Sequence, residues 1–188
     1  MIRTSADDAI GYIKKTMSGD VMNIKKIRVD KEGAGMGWGA VYAQYLESMD
    51  QISGQGNGLS VSRQLYKGDE ALNESAPLKV GDKITVRLTV KADRDMDFVQ
   101  IKDDRAACME PLQAVSGFRW SNGLGYYQAT KDASTQFFID QMRKGTYVIE
   151  YQVYVNRTGE YQAGIATVQS AYAPEFGGHT GGYRVMVE

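Results

Sequence analysis

Apolar and polar residues alternate with a period of two through the middle of the chain, and this pattern limits the fold more than any other feature. Lys83 to Val90 reads Lys-Ile-Thr-Val-Arg-Leu-Thr-Val, which sets Ile84, Val86, Leu88 and Val90 on one face of an extended segment. From Tyr147 to Val155 the same pattern gathers Tyr147, Ile149, Tyr151, Val153 and Val155, with Glu150 and Gln152 opposite. Shorter runs of this kind predict strands over 59–66, 98–102, 136–139, 165–172 and 183–187. Val80-Gly81-Asp82, Ser121-Asn122-Gly123, Lys144-Gly145 and Thr158-Gly159 supply turn chemistry between them. Many short strands with no amphipathic helix predict an all-β chain folded as an antiparallel β-sandwich.

A polar run, Ser53-Gly54-Gln55-Gly56-Asn57-Gly58, reads as a Gly-rich linker. It divides the chain into an N-terminal segment 1–52, the linker 53–58 and the sandwich 59–188. Further strands are predicted over 10–17, 23–30 and 36–46. Val41, Tyr45 and Met49 in the last of these also fit helical spacing, but the preceding glycines and the Trp and Tyr content favour a strand. Three strands do not bury a core alone, so the segment is expected to be an incomplete domain or to pack on the sandwich.

Composition bears on chemistry mainly by exclusion. The chain has 22 Lys and Arg against 23 Asp and Glu, a net charge of -1, which argues against nucleic acid as a partner. One Cys excludes an internal disulfide and a Cys-rich zinc site, and one His excludes a site built on two imidazoles. No apolar run approaches the length of a membrane span, and the N-terminus lacks a signal-peptide core.

The remaining candidates each have a plainer reading. Asp93, Asp95 and Asp97 have the spacing that opens a calcium loop, but Phe98 and Asp104 stand where that loop needs Gly and Glu. A solvated turn fits better. Cys108 and His179 would be needed together for a thiol-imidazole dyad; Cys108 reads instead as a small buried hydrophobe and His179 as an exposed hairpin tip. Gly33-Ala34-Gly35-Met36-Gly37-Trp38-Gly39 superficially resembles a phosphate loop but carries Gly at every second position and no following Gly-Lys-Ser/Thr. It reads as a turn or strand edge. Tyr147 and Tyr151 belong to the core face, and Trp120, Tyr126 and Tyr127 around the Asn122-Gly123 turn are explained by cross-strand pairing, with an exposed aromatic site as the alternative. The sequons at Asn73 and Asn156 read as turn residues. No catalytic, cofactor-binding or metal-binding residue is assigned, and no cofactor is expected.

A series of separate motifs nevertheless recurs in a known order. Asp93-Arg94-Asp95-Met96-Asp97-Phe98-Val99 leads through Lys102-Asp103-Asp104-Arg105-Ala106 to Glu110-Pro111. Ser116-Gly117-Phe118-Arg119-Trp120, Gly123-Leu124-Gly125-Tyr126-Tyr127 and Lys131-Asp132-Ala133-Ser134-Thr135 follow. Phe137-Phe138, Lys144-Gly145-Thr146-Tyr147 and Tyr172-Ala173-Pro174-Glu175-Phe176 complete the series. From about residue 59 to the end the chain resembles the C-terminal macroglobulin (MG10) domain of large bacterial alpha-2-macroglobulin-like proteins. Met36-Gly37-Trp38-Gly39-Ala40-Val41-Tyr42 is similar to the strand that closes the preceding CUB-like domain.

The resemblance implies a fibronectin-like sandwich at the end of a larger cell-envelope protein, often lipid-anchored on the periplasmic side, which traps proteases that cut its bait region. It implies a non-enzymatic domain that docks against upstream domains, including a thioester-type domain, and meets target proteases through the parent. The family's Cys-Gly-Glu-Gln thioester motif is absent, since Cys108 is followed by Met109-Glu110-Pro111. On this expectation the missing export signal marks a severed tail. The alternative is a stand-alone glycan- or peptide-binding β-sandwich.

Overall fold

The computed structural model describes residues 14–19, 26–42, 44–73 and 76–188. The chain divides into two compact units, Met1–Leu46 and Glu47–Glu188. No helix among the described residues is long and apolar enough to cross a membrane.

In the first unit the described residues form no helix and no strand. The expectation of N-terminal strands is corrected accordingly. Residues 14–17, 26–30 and 36–46, apart from the undescribed 43, are not paired, and the rest of the 10–17 and 23–30 predictions lies outside the described residues. Trp38 is 90% exposed and Val41, Tyr42 and Leu46 are exposed too, so among the described residues of this unit no face is buried to hold a strand in register. The glycine run bends at Gly33–Gly35, where Lys31 Nζ donates to the carbonyl oxygens of Gly33 and Ala34 at 3.1 Å.

The second unit is the predicted sandwich. Its strands are β1 (Gln55–Asn57), β2 (Leu59–Lys67), β3 (Glu70–Ala71), β4 (Lys83–Ala92), β5 (Met96–Asp104), β6 (Met109–Pro111) and β7 (Gly117–Ser121). They continue as β8 (Leu124–Thr130), β9 (Ser134–Met142), β10 (Gly145–Val155), β11 (Gly159–Ala163), β12 (Ala166–Ser170), β13 (Gly177–His179) and β14 (Tyr183–Val187). One layer runs β6-β10-β4-β2 with β3 on β2; the other runs β13-β12-β5-β9-β8-β7; β11 pairs with β14. The two long alternating segments are antiparallel neighbours, with Ile84 opposite Val153, Val86 opposite Tyr151 and Leu88 opposite Ile149. Their inner residues are buried and meet Val99, Ile101, Phe137 and Ile139 of the facing layer in one core. The Asn122-Gly123 turn joins β7 and β8 in the two-residue form expected of it, with φ of 51° and 77°.

The Gly-rich run is not a linker. Gln55–Asn57 pairs with Gly177–His179 and turns through Gly58 into β2, so β1 ties the two layers together. Glycine is needed here for close approach: a Cβ on Gly178 would lie 2.7 Å from the carbonyl oxygens of Gln55 and Leu59. The same pairing corrects the reading of His179, which lies half-buried in β13 between β1 and β12 and not at a hairpin tip.

Candidate functional site

The two residues required for a thiol-imidazole dyad are not brought together. Cys108 is fully buried beside β6, its carbonyl accepting from Asn156 N at 2.9 Å, while His179 Nδ1 sits 3.1 Å from its neighbour's carbonyl, Thr180 O. Burial pushes the Cys108 thiol up, which suits a packing role better than a nucleophile. The Asp93–Asp97 carboxylates are also separate: Asp93 accepts from Arg94 Nε at 2.8 Å, Asp95 from Lys144 N at 2.7 Å, and Asp97 is exposed on β5.

A polar network that sequence reasoning missed crosses the core. Alternation along β5 points Val99, Ile101 and Asp103 inward together, so a carboxylate enters the space between the layers. Arg63 of β2 donates from Nη1 to Asp103 Oδ1 at 2.5 Å, and Tyr151 of β10 donates its hydroxyl to Asp103 Oδ2 at 2.7 Å. Arg63 Nη2 donates to Gly164 O at 2.5 Å, and the guanidinium stacks 4.6 Å from the Tyr183 ring centre. Both charged side chains are at most 5% exposed. Next along the chain, Arg105 donates to Thr135 Oγ1 at 2.6 Å and to Asp132 O at 2.8 Å, and also to Lys131 O. The Arg63 and Tyr151 bonds to Asp103 clamp one layer to the other, while Arg105 ties the end of β5 to the β8–β9 connection within its own layer.

Burial also raises two core tyrosines: Tyr151 well above 10, helped by the neighbouring Asp103 charge, and Tyr126 less strongly. With Cys108, these groups keep protons in the native state that the unfolded chain releases, so stability is present below about pH 9 and falls as pH rises. Urea midpoints are expected to drop between about pH 9 and pH 11, with a flatter decline above about pH 10 in Tyr151→Phe. Equal slopes for wild type and variant would contradict the assignment to Tyr151.

The outward face of β7-β8-β9 carries the other concentration of potential binding groups. Register sets Phe118 opposite Tyr127 and Tyr127 opposite Phe138, and the Phe118 and Tyr127 rings pack edge to face at 5.1 Å. Trp120 lies across Gly125, where a Cβ would come within 2.8 Å of the indole. Cross-strand aromatic pairing thus joins Phe118 and Tyr127, while Trp120 stands opposite Gly125, and neither arrangement covers the rings: Phe118 and Trp120 remain 78% and 77% exposed. Tyr126 points the other way into the core. At the far side of the same layer Phe98, held at a φ of 52°, packs edge to face on exposed Tyr172 at 5.1 Å. Aromatic area left in water on this scale suits association more than catalysis.

Comparison with known proteins agrees with this architecture. Residues 58–175 match the family model described as the bacterial alpha-2-macroglobulin MG10 domain. Salmonella alpha-2-macroglobulin reacted with methylamine superposes with a TM-score of 0.60 at 20% identity, over 72% of this chain and 10% of that one. Escherichia coli alpha-2-macroglobulin activated by porcine elastase gives 0.62 at 16% identity, over 73% of this chain and 14% of that one. A curated relative, Circularly permutated Ras protein 2 of Dictyostelium discoideum, is 29% identical over 138 residues, which is 70% of this chain and 4% of that protein. The chain thus spans only a small part of the relatives it matches. With the family model covering well over half of its length, the chain belongs to the bacterial alpha-2-macroglobulin MG10 domain family.

Proposed function

We propose that this chain is the C-terminal docking region of an alpha-2-macroglobulin-like cell-envelope protein, itself non-enzymatic, whose parent traps proteases. The single observation that carries the reading is the MG10 match over residues 58–175. It is supported by the structural neighbours, which include alpha-2-macroglobulins described as activated by trypsin and by elastase. The domain's part is to pack against upstream domains of the parent, a thioester-type domain among them, and to shift when the bait is cut. Residues 1–52 are the end of a CUB-like domain, and the parent faces the periplasm. The exposed row of Phe118, Trp120 and Tyr127 suits such packing, because a buried aromatic anchor contributes most at the centre of an interface.

The test uses the parent protein mixed with trypsin, assayed on casein and on a small chromogenic amide. Trapping predicts that casein hydrolysis falls while the small amide is still cut. Phe118→Ala with Trp120→Ala is expected to weaken trapping severalfold while changing the stability of this domain by less than about 1 kcal/mol, as for exposed sites. Unimpaired casein hydrolysis with the wild-type parent would sink the reading. A glycan array that this chain binds through Trp120 would replace it with a sugar-binding module.

A further inference from the structure

Two strand edges face a common cleft without meeting. Pairing fixes which way the backbone of β2 points. Leu59 to Tyr66 pairs with β4, and Asp93 N donates to Gly58 O at 3.0 Å, so the even-numbered residues of β2 exchange hydrogen bonds with β4. Odd-numbered residues point their amide and carbonyl groups the opposite way, as Leu65 O does in accepting from Leu72 N at 2.8 Å. Leu59 is closed by Asn57 and Leu65 by the β3 arm. Between them, among the described residues, Val61 and Arg63 have a sheet partner on the β4 side only.

The opposite wall is the edge of β14. Met186 O accepts from Leu78 N and Glu188 N donates to Leu78 O, both at 2.9 Å, so even-numbered residues of β14 point away from β11. Arg184, one step earlier, points its backbone the same way. Between the edges lies a cleft of about 290 Å³ with apolar walls of Val61, Leu65, Leu72, Leu78 and Val185. The charged side chains in its lining, among the described residues, are guanidiniums: Arg63 is committed to Asp103, and Arg184 is 62% exposed with Nε on Asp50 at 2.8 Å and Nη1 3.9 Å from Glu160 Oε2.

We propose that this cleft takes an extended peptide segment of another polypeptide as an added strand on β2. Backbone donors and acceptors at strand spacing match a peptide backbone and no compact ligand, which is the basis of recognition by strand addition. Alternate side chains of an added strand enter the cleft, so its walls select apolar residues at every second position. At the end beside Arg184 an acidic residue is favoured, because the Nη2 donors of that guanidinium are engaged by neither Asp50 nor Glu160. Lys and Pro, which blunt free edges in other sheets, are absent from residues 61–65. The proposal stands independently of protease trapping.

The probe is a fluorescein-labelled peptide, acetyl-Thr-Val-Thr-Val-Thr-Val-Glu-amide, titrated into the whole chain by fluorescence anisotropy, with amide exchange followed by NMR. Saturable binding is expected, with exchange at Val61 and Arg63 slowed about tenfold or more and Ser60 and Ser62 unchanged, since their amides already face β4. Methylation of alternate peptide nitrogens should weaken binding at least about tenfold, because each removes a ladder bond. Arg184→Gln should weaken it a few-fold, and not further when the peptide Glu is replaced by Gln. Ala76→Phe, which fills the cleft, should abolish it; the exchange map on the wild-type chain tests the site even if that variant does not fold. No binding at millimolar peptide overturns the proposal, as does equal affinity for the methylated peptide or protection confined to the Phe118–Trp120 face. A chain that sediments as a dimer with these same amides protected assigns the edge to a second copy and overturns it too.

Discussion

Replacing Arg63 with methionine is expected to cost about 3–5 kcal/mol, which for a domain of this size lowers the melting temperature on the order of 10 °C. Asp103 is 1% exposed and has two side-chain partners, Arg63 and Tyr151. Removing the guanidinium leaves a carboxylate in the core with a phenol as its one remaining side-chain donor, and strips Gly164 O of its 2.5 Å bond. Much of the cost is therefore that of an unpaired buried charge rather than the net worth of the pair. The triple change Arg63→Met, Asp103→Leu and Tyr151→Phe removes the buried carboxylate together with both of its side-chain partners and is expected to recover most of the loss. Calorimetric melting of the two variants separates the cases. If the triple variant melts no higher than Arg63→Met, charge burial is not what the single change disturbs, and the stacking on Tyr183 or the tie to Gly164 is the term that matters.

How much of this was legible in the sequence depends on where the determining interaction lies. The face of β4 and β10 is written in local alternation, so Ile84 to Val90 and Tyr147 to Val155 could be placed inward and the register between them follows. β1 carries no such signal, because Gln55-Gly56-Asn57 is held by a partner 120 to 124 residues away, Gly177–His179, and its glycines serve contact rather than mobility. The 36–46 segment shows the reverse error: its Trp, Tyr and Val content favours a strand, but no burial is available to reward one among the described residues. Asp103 could have been found. It continues the inward set Val99 and Ile101, and a carboxylate at such a position implies a buried partner, though nothing local names Arg63, 40 residues earlier. The exposure of Trp120 could not, because alternation tells which face a ring is on and not whether another domain covers it.

Truncating Phe137 to alanine is expected to cost about 3–5 kcal/mol, the usual range for emptying a core aromatic site. Phe137 is 0% exposed, and its ring centre lies 5.6 Å from that of Tyr126 and 5.9 Å from that of Tyr151, so one side chain joins its own layer to β10. Loss of the ring forfeits apolar burial and both aromatic contacts, and strands of two separate layers cannot close the space without moving backbone held by ladder bonds. Phe137→Leu, which keeps most of the volume, should cost roughly half as much or less. The position of Tyr151 adds a sharper expectation. Its ring touches Phe137 while its hydroxyl holds Asp103, so the cavity left by alanine frees the ring to tilt and loosens the 2.7 Å bond. Phe137→Ala and Tyr151→Phe should therefore be non-additive by at least about 0.5 kcal/mol in a double-mutant cycle, whereas Phe137→Ala and the distant Trp120→Ala should add. Strict additivity in both cycles would show that the aromatic core and the polar clamp are independent, with Tyr151 fixed by its hydrogen bond alone.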